Sequence, residues 1–136
     1  MIGEMIMTID ELEQYRGIAA EIDALNEEIE HMYNTYRSPS FSSNGSFNGE
    51  AKSPVEQALK KIEQLNEAYT SRLSELNDRK LEIEEWLKTI DDTFIIACIR
   101  FHYLRGYSWK ETSKKVYGYD NYYNARKVVF RYFGRE

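Results

Sequence analysis

Between Tyr15 and Tyr36 the apolar residues recur at alternating three- and four-residue steps: Tyr15, Ile18, Ile22, Leu25, Ile29, Met32 and Tyr36, with Glu, Asp and Asn between them. A helix turns once every 3.6 residues, so this spacing keeps one apolar stripe on one face. A repeat of seven is the pattern of helices that pack side by side. Thr8 followed by Glu11 reads as a capping box that opens the helix. Gly17 is its weak point, at about 1 kcal/mol relative to Ala in a helix interior. A second start is written at Ser53-Pro54-Val55-Glu56, with Ser as cap, Pro in the first helical position and Glu three residues on from the cap. Its apolar positions return at sevens: Val55, Ile62, Tyr69, Leu76, Ile83, Ile90. The companion set Ala58, Leu65, Leu73 and Trp86 is interrupted by Arg72 and Arg79. The spacing predicts helices over 9–36 and 53–89, roughly 42 Å and roughly 55 Å long at 1.5 Å per residue. Two such helices form an antiparallel hairpin if their seams meet within one chain, and a homo-oligomer if they meet between copies. The pattern leaves both open.

Residues 38–52 have no periodicity and are rich in Ser, Asn and Gly, which reads as a flexible connector. Phe41 and Phe47 are unusual in a simple linker; they either pin the loop on the hairpin or contact a partner.

Past Asp92 the pattern changes. Asp91-Asp92-Thr93 starts a third helix, with acids at its positive end. Phe94, Ile95, Ile96, Ala97, Cys98, Ile99, Phe101, Tyr103 and Leu104 make it apolar almost all round, so it must be covered on several sides. Gly106 ends it. Ser108 caps a short fourth helix with Glu111 completing the box, and Trp109, Thr112, Ser113 and Val116 face inward. Tyr117-Gly118-Tyr119 reads as a turn. Asp120 or Asn121 caps a last helix whose buried stripe is Tyr122, Ala125, Val129 and Tyr132 or Phe133. The expected fold is all-α. A long, coiled-coil-like antiparallel hairpin over 8–90 precedes a three-helix module over 91–136 that ends in a helix-turn-helix.

Charge divides at the same place. Residues 93–136 hold nine Lys and Arg against three Asp and Glu, a balance of +6, which leaves −11 on residues 1–92 of a chain at −5. A basic end on an acidic body is the footprint of a protein that meets nucleic acid at that end. The outward face of the last helix carries Tyr123, Asn124, Lys127 and Arg131, with Arg126 on its flank. A helix lying in the major groove of double-stranded DNA needs hydrogen-bonding groups near its N-terminus for base edges and cations for phosphates. Asn121 and Asn124 suit adenine edges, while Arg126, Lys127 and Arg131 suit the backbone. Lys110, Lys114 and Lys115 on the preceding helix suit phosphates where that helix crosses the strand. The bland alternative is a basic solvated helix end, with Arg126 paired to Glu111 or Asp120.

Other chemistry finds little support. Cys98 is the only cysteine, so neither an internal disulfide nor a thiolate cluster can form, and a small buried thiol in a reducing cytoplasm is expected. His31 and His102 lie in separate segments and no phosphate-cradling glycine loop is present, so no enzymatic activity and no cofactor are expected. The acidic runs at Glu27-Glu28 and Glu82–Glu85 have no histidine at ligand spacing and read as solvated faces rather than metal sites. No apolar run approaches the roughly 20 residues that cross a bilayer, and no basic leader opens the sequence.

The run Ile90-Asp91, Arg100, Tyr103, Gly106, Ser108-Trp109 and Glu111 resembles the helix-turn-helix of sigma-factor region-four-like phage proteins. The layout of two helices and a Ser-Pro-containing link before it is similar to small phage regulators of the RinA/ArpU type. The likeness covers most of the chain in layout and residues 90–129 in recognisable residues. It implies a phage or prophage transcriptional regulator in the host cytoplasm, acting at promoter DNA, with RNA polymerase as a candidate second partner. By that likeness Ser108, Trp109 and Lys110 begin the supporting helix, and residues 121–131 supply the recognition helix. Two departures stand out: Thr112-Ser113 replaces an Ile-Ala pair, and Tyr117 is inserted before the turn glycine, which lengthens the expected turn. Two further functions share these features, a small-terminase-like packaging protein and a coiled-coil adaptor whose tail binds nothing.

Overall fold

A computed structural model describes residues 6–36, 53–119 and 121–135, apart from the side chains of Tyr36 and Tyr122. The connector with Phe41 and Phe47, and Asp120, therefore lie outside the described residues. Those described form five α-helices and no strand: α1 Ile9–Tyr36, α2 Pro54–Leu87, α3 Thr93–Ile99, α4 Trp109–Tyr117 and α5 Tyr122–Tyr132. The all-α architecture and the long helix pair expected from the spacing are both present.

Helix starts follow local chemistry. The Thr8 hydroxyl accepts from the Glu11 N–H at 3.1 Å while the Glu11 carboxylate takes the Thr8 N–H. Ser53 accepts from the Glu56 N–H at 3.0 Å, with Pro54 in the first turn, where its missing N–H removes no helical hydrogen bond. Asp92 caps α3 by accepting from the N–H groups of Phe94 and Ile95. Two ends differ from expectation. Helix α2 stops at Leu87 instead of Thr89, because the Thr89 hydroxyl and N–H both turn back to the Trp86 carbonyl. Helix α3 widens at its end into a π-helical turn, Arg100–Leu104.

The described residues within Met1–Ile18 and Leu76–Glu136 make one compact unit, and those within Ala19–Glu75 a second. In the first, Leu12 and Tyr15 of α1 and Ile83, Trp86 and Leu87 of α2 share one core with Ile95, Cys98, Ile99, Tyr103, Ala125 and Val129. The helix pair runs antiparallel there, with Arg79 donating to the Gln14 side chain at 3.0 Å. In the second unit Ile22, Ile29, Ala58 and Ile62 are buried, and Arg72 pairs with Glu21 at 3.0 Å. The two arginines that interrupt the apolar repeat are part-buried and send their heads to polar partners on α1. Val55, expected in the seam, is nearly half exposed; Ala58 takes the buried position in that first turn.

A candidate nucleic-acid interface

A side chain from α1 bonds carbonyls in the π turn and just after it. Arg16 donates Nε–H to the His102 carbonyl at 3.1 Å and Nη2–H to the carbonyls of Gly106 and Tyr107 at 3.4 Å each. Gly106 itself sits at φ 79°, a conformation that L side chains rarely adopt. The chain then reverses into α4 over an aromatic stack. The His102 ring lies 3.6 Å from the Trp109 ring, nearly parallel, and its Nδ1–H donates to the Tyr107 carbonyl at 2.7 Å. Only the tautomer with hydrogen on Nδ1 can make that bond, since a carbonyl only accepts. Burial pushes the His102 pKa down to about 4, so the ring is neutral and structural near pH 7. Arg100 forms a two-pronged pair with Glu84 on α2, at 2.7 and 2.8 Å. The hydrogen bond from Arg100 is the main cause that holds the Glu84 carboxyl below its usual range.

Helix α4 starts on the expected capping box: Ser108 accepts from the Glu111 N–H, and the Glu111 carboxylate takes the Ser108 N–H at 2.9 Å. It runs one residue further than expected. Tyr117 is the last helical residue, stacked 5.6 Å from Phe94, and Gly118 closes the helix in the left-handed region at φ 86°. Tyr117 therefore belongs to the helix and leaves the turn short. Thr112 and Ser113 differ in how they are held, and Thr112 Oγ1 has no hydrogen-bond partner among the described residues. Both side chains are fully buried, and Ser113 Oγ accepts from the Ala125 N–H at 3.0 Å, tying α4 to the first turns of α5. Ala125 and Val129 form the buried stripe of α5 as expected. Phe133 is half-buried and stacks on Trp86, whereas Tyr132 is 44% exposed. The Tyr122 side chain lies outside the described residues.

With the frame set, the candidate residues fall into three groups. Lys110, Lys114 and Lys115 all lie on the exposed surface of α4. Asn121 and Asn124 are engaged locally: Asn121 Oδ1 caps α5 by accepting from the Tyr123 N–H at 3.1 Å, and Asn124 Nδ2 donates to the Tyr119 hydroxyl at 2.9 Å. The third group converges. Tyr123, Arg126, Lys127 and Arg131 line one cavity of about 520 Å³, together with Phe130 and Arg135. The Arg126 guanidinium lies 4.4 Å above the Phe130 ring and makes no pair with Glu111. Phe130 and Arg135 were not singled out from the sequence. An i, i+4 pair of Arg126 with Phe130 was the available signal for the first; Arg135 falls beyond the end of α5, where helical spacing no longer predicts direction.

Ion pairing differs from cation to cation, and Lys60, Lys61 and Lys80 of α2 make no ion pair among the described residues. Arg72 and Lys88 have carboxylate partners in α2 or α1, Arg100 has Glu84, and Arg16 and Arg79 have polar acceptors. Lys110, Lys114, Lys115, Lys127 and Arg131 make no ion pair among the described residues. The described residues hold no group of three or more His, Cys, Asp or Glu arranged to bind a metal ion, and no described helix is long and apolar enough to cross a membrane. Compared with protein-family models, with curated proteins and with solved structures, the chain matches none.

Proposed function

We propose that this protein binds double-stranded DNA through α4 and α5 and acts as a transcriptional regulator of the phage class its last helices resemble. The observation that carries this reading is the concentration of cations without carboxylate partners on the exposed faces of two helices joined by a tight turn. Exposed like charges repel one another, and a polyanion offsets that repulsion while releasing its own counterions. Tyr123 is exposed near the start of α5, where base edges would lie, and Lys127 faces the backbone. Asn121 and Asn124 contribute through helix geometry first, since each already has a side-chain atom in a local hydrogen bond. Promoter action and contact with RNA polymerase are carried over from the likeness of residues 90–129.

The test is a gel shift and a fluorescence titration with random-sequence duplex, followed by selection from a random pool. Affinity should fall steeply between 50 and 200 mM salt, with a log–log slope of about −0.9 for each phosphate neutralised. Replacing Lys127 and Arg131 together with Ala should weaken binding to all duplexes alike and flatten that slope by about 2. Unchanged affinity in the double variant would remove α5 from the interface.

A further inference from the structure

The cavity at the C-terminal half of α5 is concave, and that shape narrows what it can hold. Four cations, Arg126, Lys127, Arg131 and Arg135, share a hollow of about 520 Å³ whose lining includes no acid. Arg135 reaches Asp10 only at 3.9 Å, a contact too long for a hydrogen bond. Gathering four like charges around one hollow is unfavourable unless an anion enters it. One of the four is oriented in advance. The Arg126 guanidinium rests 4.4 Å above Phe130, and Phe130 is itself braced edge-on by Trp109 at 6.2 Å. A guanidinium held over a ring is restricted in position, and its N–H fork matches two oxygens of a phosphate at once.

We infer that this cavity seats one phosphodiester of the nucleic-acid backbone, with Arg126 as its two-pronged donor and Phe130 as the residue that positions it. The inference rests on the DNA-binding reading and sharpens it. Arg131 and Arg135 close the seat with charge, and Lys127 stands at its N-terminal rim. The contact fixes where α5 lies along the duplex and carries no base information.

Arg126→Lys keeps the charge and loses the fork, so it is the decisive variant. Duplex affinity in the full chain should drop about tenfold in Arg126→Lys, uniformly across sequences, while Lys60→Arg, on the exposed surface of α2, stays within about twofold of the parent. Phe130→Leu keeps apolar volume against Trp109 and should reproduce part of the loss; circular dichroism checks that it folds. In parallel, the arginine Nε–Hε resonances are followed during titration with a 20-base-pair duplex, with inorganic phosphate and with phosphatidylglycerol vesicles. A shift of the Arg126 signal with duplex, and a weaker one with phosphate, supports the seat. Duplex binding with the Arg126 signal unmoved and Arg126→Lys at parental affinity overturns it and leaves the DNA-binding reading standing. Saturation by phosphate without any duplex binding overturns the DNA-binding reading and the assignment to a backbone phosphodiester together. A response to vesicles alone does the same in favour of a lipid headgroup.

Discussion

Two buried polar side chains set the tests at residue scale. His102 is 4% exposed and its pKa is depressed, chiefly by burial, from an ordinary 6.5 to about 4. The unfolded chain therefore binds a proton that the folded chain refuses between those values. Stability should be fully present above pH 6.5 and fall as the pH drops toward 4, by on the order of 3 kcal/mol from this group. Urea denaturation at pH 7.0 and 4.5 checks it. Glu84 contributes in the same direction, so the informative quantity is the difference between the parent and His102→Gln, which should lose much less on acidification. Ser113 gives the second test. Replacing it with Ala leaves the Ala125 N–H without the acceptor it has at 3.0 Å, which should lower stability by about 1–3 kcal/mol. Ser113→Ala matching the parent in urea would mean the α4–α5 tie is not a structural requirement.

For the elements, glycines tell opposite stories. Gly17 sits in the interior of α1, exposed, and an added Cβ there meets nothing within 4 Å. Gly17→Ala should raise the thermal midpoint, since it contributes up to about 1 kcal/mol of helix propensity at no steric cost. Gly118 also has open space around its Cβ position, yet its φ of 86° penalises any L side chain. Gly118→Ala should destabilise by about 1–2 kcal/mol and, by disturbing the α4–α5 turn, weaken DNA binding more than the stability loss alone explains. The sign of each effect follows from backbone angle alone, so a stabilising Gly118→Ala would show that the turn relaxes to another geometry. Much of the element layout was legible because it is local: caps at Thr8, Ser53, Asp92, Ser108 and Asn121 need only a few neighbouring residues. The π turn at Arg100–Leu104 was not, and the side chain that bonds its His102 carbonyl is Arg16, 86 residues away in the chain.

At the scale of the whole molecule, the core joins the start of α1 and the end of α2 to the last three helices. A fragment of residues 91–136 would expose the faces of Ile95, Ile99 and Val129 that now pack with Leu12, Tyr15, Ile83 and Trp86 in one cluster. That fragment should show no cooperative thermal unfolding and should bind a hydrophobic dye, as expected of a chain without its core. Trp86→Ala in the full chain should lower stability by about 3–5 kcal/mol, because a buried indole stacked on Phe133 at 5.7 Å is lost. A cooperative, dye-free fragment would instead show that the last three helices fold on their own.

By itself the sequence determined what depends on neighbours a few residues apart. That includes five helices placed by period and cap, the antiparallel-competent seams, and a cationic tail on an acidic body. It also located the exposed face of α5, since helical spacing decides which side chains share a side. Only tertiary structure decided which elements make one core, that Arg72 and Arg79 belong at the seam, and that Tyr117 extends a helix rather than a turn. It also decided that Phe130 and Arg135 join Arg126, Lys127 and Arg131 around one hollow. The reason is physical: a cap is a bond between near neighbours, whereas a cavity is a coincidence of side chains whose directions depend on how the helices pack and where the last one ends.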